Sequence, residues 1–188
     1  MFVVGCVLGI YLFRESVIEG FRIPSESMKP TLIIDDHVLV WKLAFGLNLP
    51  FIKEPIIEWL DPQRGDILVF THQDRTITKK NNSPVYLIKR IIGLPGDMLE
   101  IDKNHVFING SELQEDYAVW KKNGNTLPRY GPISIPETSF FVMGDNRDES
   151  QDSRYWKDDP FVKRDEIIGK AFIIYYSKNY FRFGKLIS

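Results

Sequence analysis

A single cysteine, Cys6, stands among 188 residues, so neither an internal disulfide nor a cysteine-rich metal site can form. Histidine is nearly as scarce. His37, His72 and His105 are scattered, with no HExxH pair and no two at helical ligand spacing, which argues against a metal-dependent hydrolase. Neither sign of charge is in excess: 24 basic and 25 acidic residues leave a net −1. No basic surplus is available to neutralise phosphates, so nucleic acid is not expected as a partner. A Gly-x-Ser-x-Gly elbow is missing. So is Ser-x-x-Lys, because Met28 lies three beyond Ser25 and Pro30 three beyond Ser27. There is no internal repeat, no low-complexity tract and no second long apolar stretch.

The one apolar run is short. From Phe2 to Phe13 the chain reads FVVGCVLGIYLF, and Arg14 and Glu15 end it. Twelve helical residues reach only ~18 Å at 1.5 Å each, against a hydrocarbon core of ~30 Å. A cleaved secretory peptide has a basic start and a small-residue cleavage site, and neither is present. No polar residue interrupts the run to give a helix two faces. It reads as the end of a transmembrane helix, the alternative being a buried core helix. Residues 1–17 are therefore expected to be a membrane anchor, with lipid as a partner, and 18–188 the folded domain.

Beyond Arg14 the pattern is that of strands and turns. HVLVWKL (37–43), DILVF (66–70), VYLIKRII (85–92), HVFI (105–108), SFFVM (139–143) and GKAFIIYY (169–176) are short runs rich in β-branched and aromatic residues. Asn109-Gly110 is a strong hairpin cue, since both central positions of a type I′ turn need positive φ. GLPGD (93–97) reads as a tight reversal. The expected fold is mainly β: an antiparallel core carrying a small inserted β subdomain at about 104–135, preceded by the partial membrane helix. Residues 45–60, FGLNLPFIKEPIIEWL, fit no element, because Pro50 and Pro55 break a helix and cannot donate in a ladder. They read as a long loop on the core, or as an apolar lip at a membrane surface with Trp59 at the interface.

Three segments concentrate chemistry. In PSESMKPTL (24–32) the two prolines hold a short extended or turning stretch, and on extended backbone Ser25 and Ser27 share a side. In VYLIKRIIGLPGD (85–97), Lys89 shares a strand face with Val85, Leu87 and Ile91, and Arg90 lies on the other. Burial on an apolar face lowers a lysine pKa, and a serine hydroxyl needs such a base to become a nucleophile. His37 is the rival base. GDNRDESQDSR (144–154) follows an apolar strand, where catalytic loops often sit; a solvated hairpin loop is the plainer reading. A calcium loop is not, since the EF-hand ligand order is unmatched and Arg147 and Arg154 oppose a cation.

In this order and spacing the three segments resemble the signature boxes of bacterial type I signal peptidases, the leader peptidases. PSESMKPTL resembles the box P-S-x-S-M-x-P-T-L, which implies Ser27 as nucleophile and Ser25 as a hydroxyl of the oxyanion hole, beside the Ser27 amide. YLIKRIIGLPGD resembles the lysine box and implies Lys89 as general base. GDNRDESQDSR resembles the box whose serine and aspartate lie near that lysine, here Ser150 and Asp152. FGLNLP, QRGDILVF and IIGKAFIIYY extend the similarity along nearly the whole chain. The chain opens partway through what resembles the family's last membrane helix, its insert is shorter than in the large Gram-negative enzymes, and a disulfide of some members cannot form.

What the resemblance implies is removal of signal peptides from exported preproteins, by acyl-enzyme chemistry that needs no metal and no cofactor. It further implies shallow apolar pockets built from Ile23, Pro24, Met28, Leu32, Leu87 and Ile88, and a place at the bacterial cytoplasmic membrane with the catalytic domain on its outer face. Alternatives from the same residues are a conjugation-type processing peptidase, a self-cleaving Ser/Lys repressor relative, and a non-catalytic membrane-anchored β protein displaying Arg64-Gly65-Asp66.

Overall fold

The computed structural model describes residues 17–47, 57–71, 85–121 and 129–187. Almost all of the expected anchor, His72, and the middle parts of 45–60 and 104–135 lie outside these. Thirteen strands are formed among the described residues: β1 (Ile18–Arg22), β2 (His37–Trp41), β3 (Gly46–Leu47), β4 (Ile57–Glu58), β5 (Ile67–Thr71), β6 (Tyr86–Gly93), β7 (Met98–Asp102), β8 (His105–Ile108), β9 (Ser111–Glu112), β10 (Tyr130–Ser134), β11 (Ser139–Met143), β12 (Val162–Lys163) and β13 (Ile167–Tyr176). The main sheet has the order β1-β2-β13-β5-β6-β11-β12, a second has β10-β7-β8-β9, and β3 pairs with β4. Every pairing is antiparallel. The protein is thus mainly β, and each of the six apolar runs forms a strand. Among the described residues no helix is long and apolar enough to cross a membrane.

Patterning accounts for the pairing. On β2, Val38 and Val40 are fully buried between half-buried neighbours, the alternation of a strand with one face on a core. β6 differs: Ile88–Gly93 are all buried, because the second sheet packs across its far half. Ile92 of β6 and Phe141 and Met143 of β11 meet Leu99, Ile101, Val106 and Ile108 of that sheet in one cluster. Each such aliphatic side chain contributes about 1.5–3 kcal/mol when removed from water. Elsewhere in the main sheet Ile88 joins Val38, Val40, Val69 and Ile174.

Turns follow their residues. Asn109 and Gly110 have φ of 51° and 80° and pair Ile108 with Ser111, as a type I′ hairpin requires. Gly93-Leu94-Pro95-Gly96-Asp97 reverses the chain, with the Leu94 amide donating to Asp97 Oδ2 at 2.7 Å, and carries it from the main sheet into the second. That second sheet begins at Met98, six residues before the expected insert. Residues 45–60 include the small β3–β4 ladder, and Trp59 Nε1 donates to the Leu43 carbonyl at 2.9 Å.

Candidate active site

Two loops converge on the middle of β6. The first, residues 23–36 between β1 and β2, is wound into turns: the Lys29 amide donates to the Glu26 carbonyl at 3.0 Å and the Leu32 amide to the Met28 carbonyl at 2.8 Å. Of the two backbone forms open to this stretch, turning is the one present. It still brings Ser25 Oγ within 3.3 Å of Ser27 Oγ. Met28 and Leu32 anchor the loop from below, both fully buried. Ser27 is itself only 5 % exposed.

Lys89 lies mid-strand on β6, opposite Leu68 of β5. Its Nζ donates to Ser27 Oγ at 2.8 Å and to the Ile88 carbonyl at 3.0 Å. The side chain is 4 % exposed. Burial pushes the amine down to about 8, Asp152 and Asp145 pull it back up, and Arg154 adds to the lowering. The neighbouring Arg90 helps in another way: its guanidinium clasps Asp145 with two bonds of 2.8 Å and donates to the Gly65 carbonyl at 2.8 Å.

The other loop, 144–161, follows β11, and its part 144–154, which reads from sequence as a solvated hairpin, instead has most of its charged side chains buried. Asp145, Arg147, Asp152 and Ser153 are fully inaccessible and Ser150 nearly so. Asp152 accepts from the Gly144 amide at 2.9 Å and from Arg154 Nε and Nη2 at 2.8 Å each. Burial raises the Asp152 pKa, but the Arg154 bonds, with Ser150 and the Gly144 amide, outweigh it and leave a lowered value. Ser150 Oγ is buried without a hydrogen bond of good geometry among the described residues, though it stands close enough to Asp152 to act on its charge. Gly144 is pressed between Ser150 and Ser27: a Cβ there would lie 2.3 Å from Ser150 Oγ and 2.4 Å from the Ser27 carbonyl oxygen.

Of the site residues named from sequence, Ser25, Ser27 and Lys89 are thus joined by hydrogen bonds, and Ser150 and Asp152 lie on the loop beside them. The pocket residues divide. Ile23, Met28, Leu32 and Ile88 share one cluster, Leu87 packs on another, and Pro24 is exposed. Met28 and Leu32, at 0 % exposure, lie beneath Ser27 as a floor. His37 is engaged elsewhere, its ring against those of Tyr175 and Tyr176. Arg64 reaches Asp97 at 2.9 Å and Asp66 pairs with Lys170 at 2.5 Å, so Arg64-Gly65-Asp66 is a braced turn. An open cleft of about 460 Å³, lined by Pro62, Leu94, Pro95, Phe140 and Arg164, lies beyond the end of β6 and includes none of these groups. Among the described residues no cluster of His, Cys, Asp and Glu could hold a metal ion.

Sequence reasoning passed over Thr31, Arg90, Glu115, Asp145 and Arg147 as site residues. For Asp145 and Arg147 a signal was available, that they must pair though not with what: alternating charges immediately after an apolar strand are costly to bury alone.

A family model for signal peptidase, peptidase S26, matches residues 1–176. A signal peptidase I of Pseudomonas fluorescens is 36 % identical over 201 residues, covering 89 % of this chain and 68 % of its own. A probable signal peptidase I-2 of Synechocystis is 38 % identical over 160 residues, covering 85 % and 64 %, and a signal peptidase I of Leptolyngbya laminosa 38 % over 176 residues, covering 92 % and 75 %. The chain therefore spans about two thirds to three quarters of the length of these relatives. On that extent of likeness, the chain belongs to the signal peptidase family, peptidase S26, and is a serine peptidase that removes signal peptides.

Proposed function

We propose that Ser27 and Lys89 form the catalytic dyad of this peptidase, and that its substrates are secretory preproteins. The observation that carries the reading is a lysine, buried and with its pKa lowered, whose Nζ lies 2.8 Å from a buried serine hydroxyl. With Lys89 neutral, the polarity of that hydrogen bond reverses and the hydroxyl donates to the amine lone pair. Ser27 Oγ then attacks the scissile carbonyl while its proton passes to Lys89 Nζ. The Ser27 amide and the Ser25 hydroxyl stabilise the oxyanion. Collapse of the tetrahedral intermediate breaks the C–N bond, Lys89 returns the proton to the leaving amine, and an acyl-Ser27 ester remains. Water, deprotonated by Lys89, hydrolyses the ester. Every step is a proton or acyl transfer among these groups, and none calls for a metal or cofactor.

Residues 1–17 act in this reading as the end of a membrane helix. They hold the domain against lipid at the outer face of the bacterial cytoplasmic membrane, where a preprotein emerges. The substrate rests in shallow apolar pockets near Ile23, Pro24, Leu87 and Ile88, over the floor formed by Met28 and Leu32. Incubating the purified chain with a preprotein and sequencing the new amino end tests the activity. Ser27→Ala and Lys89→Ala are each expected to abolish cleavage with the fold intact; more than a few per cent of activity in either variant contradicts the dyad. A chain beginning at Ile18 is expected to stay folded and active but to leave the membrane fraction. If it unfolds, the apolar run is a core helix.

A further inference from the structure

Residues 113–121 leave β9, turn at Asp116–Tyr117, where the Ala118 amide donates to the Glu115 carbonyl at 3.1 Å, and make no hydrogen bond to Ser27 or Lys89 among the described residues. Several of them nevertheless reach the loop that carries Ser150 and Asp152, and Tyr117 reaches Arg90 of β6. Glu115 takes both ends of the Arg147 guanidinium, at 2.8 and 2.6 Å. The Tyr117 ring lies 3.9 Å from the Arg90 guanidinium carbon, and its hydroxyl donates to Glu115 Oε1 at 3.0 Å. The Val119 amide donates to the Asp145 carbonyl at 2.8 Å, and its own carbonyl accepts from the Arg147 amide at 3.0 Å. Trp120 presents its ring to both Arg147 and Arg154.

We propose that Glu115 is a positioning residue of the dyad, holding through Arg147 the loop 144–154 that closes over Lys89. This rests on the reading of Lys89 as the base. The connections run in series. Arg147 is fully buried, and besides Glu115 its Nε donates to the Gly144 carbonyl at 3.0 Å. Gly144 is the residue wedged between Ser150 and Ser27. The Arg147 carbonyl accepts from Arg154 Nη2 at 2.7 Å, and Arg154 holds Asp152. A buried guanidinium deprived of its carboxylate turns to water or to another carboxylate. The carboxylate already bound to Arg154 is Asp152. Either response opens or distorts the loop, and Lys89 is then exposed to water.

Among the described residues, the groups facing Lys89 are Ser27 from the first loop, the Ile88 carbonyl from its own strand, and Asp145, Asp152 and Arg154 from loop 144–161. Asp145 is matched by Arg90 and Asp152 by Arg154; Tyr130 of β10 also feels Asp152. Burial is the largest influence on the amine, so hydration favours the ammonium and moves the working range to higher pH.

The test uses the full chain with Glu115→Gln, Glu115→Asp, Tyr117→Phe and Lys89→Ala, and measures kcat and KM on a preprotein across pH. Glu115→Gln is expected to lower kcat about 10- to 100-fold with KM nearly unchanged, the pattern of a misplaced reacting group. Its kcat/KM limb should move up by roughly half a pH unit or more. Glu115→Asp should recover much of both, and Tyr117→Phe should shift the limb the same way by less. An unmoved limb in folded Glu115→Gln, or Asp no better than Gln, overturns the proposal. If Glu115→Gln gives no cooperative thermal transition, Tyr117→Phe decides, and an unmoved limb there overturns it as well. Activity in Lys89→Ala would instead remove the base assignment, whatever the Glu115 variants do.

Discussion

A lysine serves as a base only as the neutral amine, and burial is what favours that form at Lys89. With its pKa at about 8, kcat/KM should rise with pH through about that value and level off above it; a limb beyond about pH 9.5 would leave Lys89 close to an ordinary lysine. The same burial has a cost in stability, and its sign can be worked out. The folded-state value is depressed from 10.5, so below about pH 8 both states carry the charge and the penalty is full. Between 8 and 10.5 the unfolded chain binds the extra proton, and stability rises with pH. A shift of this size is worth roughly 3 kcal/mol, less about 1 for the two hydrogen bonds the lysine makes. Lys89→Met, inactive, should therefore unfold about 2 kcal/mol harder than the native chain near pH 7, with the advantage shrinking toward pH 10. Denaturant midpoints at pH 7 and 9.5 would show it; equal midpoints at pH 7 would mean the amine is not strained by its surroundings.

β11 ends at Met143, and the next residue decides how closely two loops can approach. Gly144→Ala would set a methyl carbon within 2.6 Å of Ser150 Oγ, Ser150 Cβ and the Ser27 carbonyl, none of which is the end of a long side chain able to swing away. Overpacking of this kind costs about 1–3 kcal/mol, and here the displaced groups include the backbone of Ser27, the proposed nucleophile. The variant should lose most activity while keeping a cooperative thermal transition; native-like kcat would show that the two loops can part without consequence. Six of the thirteen strands were legible, because apolar alternation and Asn109-Gly110 report local geometry. β7 and the two-residue strands were not, nor were β1 and β10. Ile18–Arg22 carries Glu19 and Gly20, and Tyr130–Ser134 carries Gly131 and Pro132 with a bulge against β7; both lie at sheet edges, where one partner strand suffices and composition is a weak guide. At the site, Ser27 and Lys89 could be named from their motifs. The arginine pairs could not, because Arg90–Asp145 and Arg147–Glu115 join residues 55 and 32 positions apart. Read along the chain, each of those charges belongs to water; only the fold supplies the partner.

At the scale of the molecule, Asp36 ties the start of the chain's chemistry to its late residues. It is fully buried, accepts from the Ile33 amide at 3.0 Å, and receives Arg182 Nε and Nη2 at 3.1 and 2.7 Å. Arg182 also donates to the Thr31 carbonyl at 2.7 Å. Burial pushes the Asp36 carboxyl up, and the Arg182 and Ile33 bonds more than reverse it. Its contribution is therefore full above the ordinary carboxylate range and lost as pH falls through the lowered folded-state value. Arg182→Ala leaves burial opposed only by the Ile33 amide and Ser177, so it should cost about 3 kcal/mol at neutral pH and move acid unfolding to higher pH. An unchanged acid midpoint would show that Asp36 does not depend on Arg182. The same reach across the chain bears on timing during synthesis. Thr31 bonds to Asp145, Glu26 to Asn146 and Asp36 to Arg182, over 114, 120 and 146 positions. Such distant closures form late and slowly. A nascent chain on the ribosome thus carries Ser27 long before it carries a working protease, and chains arrested short of Arg182 are expected to cleave nothing. The enzyme's silence during synthesis is thus a consequence of sequence distance alone.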